Sequence, residues 1–470
     1  MKLSTLVENQ PDIEISGITA DSREVKAGFL FGSLNSDEYV DDAVAKGATA
    51  VIVSNKYDKP QPENVVVIKS TNPVQVYAEA VAKYFGAQPK YRMAITGTNG
   101  KTSIADFVRQ VLTMMGEKAA SIGTLGLIKG NNPAVPSPNT TPNNVSLHRW
   151  LKELADENFA YLILEASSHG LHQGRLGGVS FDVAGFTNLT RDHLDYHKTF
   201  DNYLEAKLIL FKQNLKVGGT AVLNADIDVY KRIVTACQER NQKIISYGFS
   251  GSDIRLLQTQ PLPQGQRLKI KYFGKEHTID IPLAGDFQAM NVLCALGILA
   301  AVTGKPEEVL PYISKIKGAK GRLEFIGTTK NGAAVYIDYA HTPDALENVL
   351  KSLRAHTQGK LRVVFGCGGN RDKGKRPIMG SIAAKLAEAV YVTDDNPRFE
   401  EADDIRNEIM AACPGAKNIG NRAEAIRTAV DDCQQGDVLV VAGKGHETGQ
   451  YVKGEVHPFS DHEEVLKAMA

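Results

Sequence analysis

A chain of 470 residues exceeds what one hydrophobic core organises, so two or three domains are expected, and a 43% hydrophobic content can fill their cores. The 54 Lys and Arg cancel the 54 Asp and Glu, which leaves no global field to draw nucleic acid or an anionic membrane, and any charged ligand must be held locally. The opening MKLSTLVENQPDIE turns polar before a signal-type apolar region forms and no run reads as a membrane span, so a cytoplasmic chain without membrane insertion is expected. Cys237, Cys294, Cys367, Cys413 and Cys433 are scattered and odd in number, which suits free thiols.

In chain order, residues 1–90 carry the β-like runs ATAVIV and NVVVIKS and an amphipathic stretch that ends at YFGAQPKY, where a linker is expected. From Arg92 the pattern becomes strand (MAIT), glycine loop (GTNGKTS) and helix, with Ile104, Phe107, Val108, Val111, Leu112 and Met115 at helical spacing and Gly116 as the stop. The runs YLILEA, VAGFTN, TAVLN and KIISYGF read as parallel strands covered on both faces. RLKIKYF and HTIDIPL alternate about a Gly-Lys-Glu turn and predict a hairpin that extends this second domain. After GRLEFIG come the strand AAVYIDY, a helix from Asp344, the strand LRVVFG, a helix from Pro377, and the strands AVYVTD and VLVVAGKG. The expected fold is α/β in three domains: 1–90, a central P-loop mononucleotide-binding domain at 91–319 with a β-rich extension, and a Rossmann-like domain at 320–470.

Gly97-Thr98-Asn99-Gly100-Lys101-Thr102-Ser103 sits where backbone N–H groups and a helix N-terminus can cradle phosphates, with Lys101 reaching them and Thr102 near Mg²⁺. The full Walker pattern needs a glycine at position 95, which is Ile95. Glu165 ends YLILE, where a carboxylate either ligates Mg²⁺ or caps the next helix. Arg191-Asp192-His193-Leu194-Asp195-Tyr196-His197 reads as solvent-facing polar residues, a contribution to the Mg²⁺ site, or a zinc site without a cysteine. In DNYLEAKLILF, Lys207 shares one helix face with Leu204, Leu208 and Phe211, either snorkelling past the core edge or lying modified in a cleft. CGGNRDKGKRP concentrates Arg371, Lys373, Lys375 and Arg376, as an anion loop or an exposed basic turn; DDNPR reads as an Asn-Pro turn with an arginine attached.

Together, AITGTNGKTS, EASSHGL, TNLTRDHLDYH, YLEAKLILF, GRLEFI, IDYAHTPDAL, GCGGNRDKGKRP, DDNPR and GKGHE resemble the Mur ligase family of ATP-dependent amide-bond synthetases across all three domains, nearest to its meso-diaminopimelate-adding members. The resemblance implies that ATP phosphorylates the D-Glu γ-carboxylate of UDP-MurNAc-L-Ala-D-Glu and that an amine then displaces phosphate. It implies Gly97 to Ser103 on ATP, with Asn291, Arg322 and Asp338 at adenine, phosphate and ribose. Thr102, Glu165, His193 and a carbamylated Lys207, its carbamate derived from CO₂, would hold Mg²⁺. Ser22, Asn139, Thr140, Thr141, Ser167, Gln173 and Arg175 would take the UDP-sugar. Arg371, Asp395, Asn396, Pro397, Arg398, Gly443 and Glu447 would take diaminopimelate, with Arg398 on its far carboxylate and Asp395 and Asn396 on its amine. LNSDEYVDD departs from the family's Asp-Gly-His type turn, and Gln288 stands where an Asn is common. A monomer that closes its third domain over ATP is expected. Competing readings are lysine-adding, D-Ala-D-Ala-adding or folylpolyglutamate-type ligases, and a nucleotide-binding regulator that has lost catalysis.

Overall fold

The computed structural model describes residues 1–34, 36–262 and 265–470, so Asn35 of LNSDEYVDD lies outside the described residues. These gather into two compact units, Met1–Ser252 with Cys294–Val309, and Asp253–Leu293 with Leu310–Ala470.

The first unit opens with a parallel sheet of Gly17–Thr19, Phe29–Gly32, Ala48–Ser54 and Val66–Ser70, in that order. The first two strands, of three and four residues, are too short to show a period in the sequence. Helix Pro73–Phe85 starts on an Asn72 cap with proline at its first turn, and Tyr77, Ala80 and Val81 pack with Leu30 and Ile52.

The larger part of this unit holds strands in the order Lys243–Gly248, Leu215–Asn224, Phe181–Phe186, Tyr91–Thr96, Tyr161–Glu165, Ala119–Gly123 and Gly126–Lys129. All pair in parallel except the last, which is why the buried strands read as continuous apolar runs rather than alternating ones. After Tyr91–Thr96 the chain first builds to one side of that strand and later, with Phe181–Phe186, to the other. That reversal opens a crevice at the strand's carboxyl end, where α/β sheets bind ligands.

Helix Asp286–Thr303 corrects one expectation. Its 18 residues are long and apolar enough to cross a membrane, yet 67% of them are buried inside the protein. It is a core helix: a side chain at Gly185 would strike Ile298 and Cys294.

In the second unit Ile254–Leu262, Gly265–Tyr272 and Lys275–Ile281 form an antiparallel meander. The expected hairpin is present, but its turn is Phe273-Gly274, at φ 45° and 91°, rather than Gly-Lys-Glu. These three strands belong to the same ten-stranded sheet as the central strands, as expected of a β-rich extension. A six-stranded sheet follows, ordered Glu324–Thr328, Ala334–Asp338, Val438–Ala442, Leu361–Phe365, Ala389–Val392 and Lys417–Asn418, antiparallel only at the first pair. The carboxyl ends of its parallel strands bring Asp338, the loop from Gly366, the DDNPR stretch and Gly443 to one edge.

Beneath that edge Arg422 donates to Asp461 at 2.7 and 2.8 Å and to the Ala442 carbonyl at 2.9 Å, with both ionic side chains fully buried. Asp461→Ala leaves a buried cation unpaired. It should cost about 3–5 kcal/mol in urea unfolding; a loss under about 1 kcal/mol would assign the pair no structural weight.

Candidate functional site

Gly97, at φ 142°, lies so close to Thr187 that any Cβ would fall 1.9 Å from its hydroxyl. Ile95, where a Walker glycine was looked for, is instead a buried strand residue paired with Glu165 and Gly185. The tight turn therefore falls two residues later, at Gly97. The Asn99 N–H donates to Asn188 Oδ1 at 2.9 Å and Thr187 Oγ1 donates to the Asn99 carbonyl at 2.6 Å, so the loop is pinned from the next strand's end. Helix Lys101–Met114 follows with no side-chain cap at Gly100, which leaves its N-terminal N–H groups for an anion.

Glu165 ends its strand buried. Its Oε2 accepts from Thr102 Oγ1 at 2.9 Å and Thr124 Oγ1 at 3.2 Å, and its Oε1 from the Thr124 N–H at 2.8 Å. The carboxylate thus sits beside the loop hydroxyl, and the helix-capping alternative falls away: Ser167 caps the next helix by accepting from the Gly170 N–H. A hydroxyl and a carboxylate form an all-oxygen set of the kind Mg²⁺ prefers. Among the described residues no three His, Cys, Asp or Glu side chains gather as a metal cage.

The snorkelling reading of Lys207 is corrected. The residue is 1% exposed, and its Nζ donates to the Gly97 carbonyl at 2.8 Å and lies 4.4 Å from the centre of the Tyr203 ring. Lys101 Nζ donates to the same carbonyl at 2.9 Å and to that of Thr98 at 2.7 Å. Burial pushes the Lys207 amine well below the usual lysine range, and the Lys101 charge adds to the shift. Tyr203, which also shares a 3.1 Å hydrogen bond with Thr98, escaped the sequence reading although it lies inside the quoted helix. His193 takes a left-handed backbone at φ 52° and stacks edge-on to His169 at 4.7 Å, while His197 bonds to Ser168 Oγ at 3.0 Å.

At the end of Tyr161–Glu165 several expected sugar-side residues meet. Thr141 Oγ1 donates to the Glu165 carbonyl at 2.8 Å and bonds with Ser167 Oγ at 2.9 Å; Thr140 and Thr124 hydroxyls are 3.0 Å apart. Arg175 donates to the Thr141 carbonyl at 2.8 Å and to Gln173 Oε1 at 2.6 and 3.0 Å. Asn139 is exposed beside them. Thr141 is fully buried and acts as a pin, while Thr140 is the more open hydroxyl. Ser22 is apart from this group, buried in the turn Ser22–Glu24 with its carbonyl bonded to Lys46. A cavity of about 510 Å³ nearby is lined by Gly17, Thr19, Lys26, Phe29, Tyr84 and Arg149, without Ser22.

In the second unit Asn291 Nδ2 donates to Gln288 Oε1 at 3.0 Å, and Gln288 donates onward to the Arg322 carbonyl at 3.3 Å. The unusual glutamine therefore orients the Asn291 amide. The Arg322 guanidinium stacks 4.5 Å from the Tyr339 ring centre. Asp338 accepts main-chain N–H bonds from Leu323 and Ala340 at 2.5 and 2.6 Å, and burial pushes its carboxyl up to about 6.

The loop after Leu361–Phe365 corrects a second expectation. Arg376 is fully buried against Glu400 and Glu408, each at 3.0 Å, Lys375 bonds to the His341 carbonyl at 2.7 Å, and Lys373 pairs with Glu400 at 3.3 Å. Of the four bases Arg371 is the one that stays exposed without an acid partner among the described residues. Above the loop, Arg398 is held by main-chain bonds to Tyr451 and Lys453, and its Nη1 donates to the Gly369 carbonyl at 2.8 Å; Pro397 packs over Gly369. Any Cβ at Gly443 would fall 2.6 Å from Asp395 Oδ2, which explains the glycine. Asn396 bonds to Glu447 and to the fully buried Lys444, which the sequence reading missed inside GKGHE. Asn396 was expected to receive an amine. Its side-chain oxygen accepts from Lys444 at 2.9 Å and from the Tyr451 N–H at 3.0 Å.

A Mur ligase middle domain matches residues 95–299, and a Mur ligase glutamate ligase domain matches residues 321–445. A relative in Agrobacterium fabrum, a UDP-N-acetylmuramoyl-L-alanyl-D-glutamate–2,6-diaminopimelate ligase, is 48% identical over 97% of this chain and 94% of its own length. A relative of the same name in Caulobacter vibrioides is 46% identical over 97% and 96%. A solved structure of a ligase of that name superposes with TM-score 0.72 at 32% identity, covering 100% of this chain and 98% of that one. A folylpolyglutamate synthase from Mycobacterium tuberculosis, TM-score 0.65 at 19% identity over 78% of this chain, shares the fold alone. The chain belongs to the Mur ligase family.

Proposed function

We propose that this chain is an ATP-dependent amide ligase that joins meso-diaminopimelate to the D-Glu γ-carboxylate of UDP-MurNAc-L-Ala-D-Glu, a step of peptidoglycan precursor synthesis. The observation that carries the reading is the grouping at one sheet edge of the Arg398 guanidinium with the acids Asp395 and Glu447. A cation and two acids suit an amino acid with a carboxylate at its far end. Residues 1–90 would bind the UDP-sugar, 91–319 ATP, and 320–470 the amino acid.

The γ-carboxylate oxygen attacks the γ-phosphorus of ATP and ADP departs, giving an acyl phosphate. The diaminopimelate amine, having lost a proton, attacks the acyl carbon, and the tetrahedral intermediate expels phosphate. Two anions must meet in the first step, so positive charge is required. Within Gly97 to Ser103, Lys101 and the N–H groups not already bonded to Asn188 would supply it around the phosphates. Thr102, Glu165, His193 and carbamylated Lys207 would hold Mg²⁺, which when bound neutralises phosphate charge. Asn291, Arg322 and Asp338 would place the nucleoside. Ser22, Asn139, Thr140, Thr141, Ser167, Gln173 and Arg175 would hold the UDP-sugar, whose pyrophosphate and carboxylates suit hydroxyls, amides and a guanidinium.

The test is phosphate release from ATP with UDP-MurNAc-L-Ala-D-Glu and either meso-diaminopimelate or L-lysine. Release is expected with diaminopimelate and at background with lysine. Equal rates would make the chain a ligase of broader amino-acid use, and no release with either would sink the enzyme reading.

A further inference from the structure

Asn396 lies between two groups that can only donate. Lys444 Nζ reaches its Oδ1 at 2.9 Å and the Tyr451 N–H reaches the same oxygen at 3.0 Å, while Asn396 Nδ2 donates to Glu447 Oε2 at 3.0 Å. Turned over, the amide would set its NH₂ against an ammonium and a peptide N–H, so chemistry fixes its orientation. Lys444 reaches Glu447 Oε2 as well, at 3.3 Å, and is itself completely buried. One cation thus fixes both side chains.

What is left open is as informative. Both lone pairs of Asn396 Oδ1 are engaged, and so is Glu447 Oε2. Glu447 Oε1 and the buried Asp395 carboxylate accept no hydrogen bond among the described residues. Both carboxylates can take an arriving donor without breaking a bond already made. The corner has two acid groups ready for an ammonium and one amide turned away from it.

We infer that Lys444 is a positioning residue for the amino-acid substrate: it locks Asn396 and turns Glu447 so that Glu447 Oε1 and Asp395, not Asn396, receive the incoming ammonium. The inference rests on the ligase reading above, which supplies the ammonium. Lys444 touches no reacting atom; it acts through the two side chains it holds. Its effect is therefore confined to the amine end of one substrate and leaves the nucleotide and the UDP-sugar alone.

Steady-state kinetics of the full-length enzyme test this with Lys444→Met, which keeps the length and loses the ammonium. The KM for meso-diaminopimelate should rise about 10- to 100-fold, as expected for lost charge-assisted hydrogen bonds. The KM values for ATP and UDP-MurNAc-L-Ala-D-Glu should stay within about three-fold. Lys444→Ala provides a second arm: methylammonium, which can enter the vacated space and donate, should lower the diaminopimelate KM again, and sodium at equal ionic strength should not. An unchanged diaminopimelate KM in Lys444→Met overturns the inference. So does an equal loss for all three substrates without methylammonium recovery, which marks a structural prop. A wild-type enzyme that releases no phosphate with diaminopimelate removes the ligase reading instead, so the two failures are distinguishable.

Discussion

Lys207→Ala is expected to lower turnover on the order of 10³-fold, with formate or acetate restoring part of it. The side chain is buried with a second lysine on the same Gly97 carbonyl and, among the described residues, no acid in hydrogen-bond reach. A charged ammonium there is unfavourable, which shifts the amine toward its neutral form, and a neutral amine is the form that attacks CO₂. In the proposed modification the nitrogen would bond to the CO₂ carbon, one C–O π pair would move to oxygen, and the nitrogen would release a proton, leaving a carbamate. The product would be an anion beside Lys101 and the phosphate loop, in place of a neutral amine. Small carboxylates mimic that anion in the space Ala opens, so dose-dependent recovery of phosphate release is the readout. A ¹³C carbamate resonance from labelled bicarbonate in the wild type, absent in Lys207→Ala, checks the modification without turnover. Lys207→Ala at wild-type rate, or no resonance in the wild type, would count against it.

The lysine also shows where sequence reasoning reaches its limit. Periodicity placed Lys207 on the apolar face, but a helical wheel cannot say whether a long side chain finds solvent. Only the packing of Tyr203 and Gly97 around it closes the exit. The strands Tyr91–Thr96, Phe181–Phe186 and Val438–Ala442 were legible because strands buried on both faces carry continuous apolar runs. Gly17–Thr19 and Gly449–Val452 were not, being three and four residues long. The basic loop misled for a different reason. Arg376 and Lys373 find Glu400 and Glu408 more than 20 residues on, and local composition carries no sign of such partners. Lys444 was hidden in the same way, since its partner Asn396 is 48 residues upstream. What the sequence showed well was chemistry confined to one turn, such as GTNGKTS; what it concealed was chemistry assembled across strand ends.

Arg398→Gly is expected to lower kcat/KM for meso-diaminopimelate on the order of 10³-fold while the KM values for ATP and the UDP-sugar hold, since it removes two charge-assisted bonds to one carboxylate. Glycine is the cleaner probe than alanine, because Arg398 sits at φ 53°, where a Cβ is strained and glycine is not. The arginine accepts that backbone because the chain beside it fixes it: its N–H donates to the Tyr451 carbonyl at 2.9 Å and its carbonyl accepts from the Lys453 N–H at 2.6 Å. The Gly369 carbonyl takes one guanidinium N–H at 2.8 Å, which leaves further donors in a rigid fork for a carboxylate. Gly368 leaves room for that fork, since any Cβ there would fall 2.7 Å from Nη1. Arg398→Lys should recover little of the loss, because a point charge cannot reproduce a two-pronged contact. The discriminating measurement is the ratio of kcat/KM for diaminopimelate to that for L-lysine. It should collapse in Arg398→Gly chiefly through the diaminopimelate term, because L-lysine has no far carboxylate to lose. A parallel fall for both amino acids and for ATP would mean that the guanidinium supports the loop rather than reads the substrate.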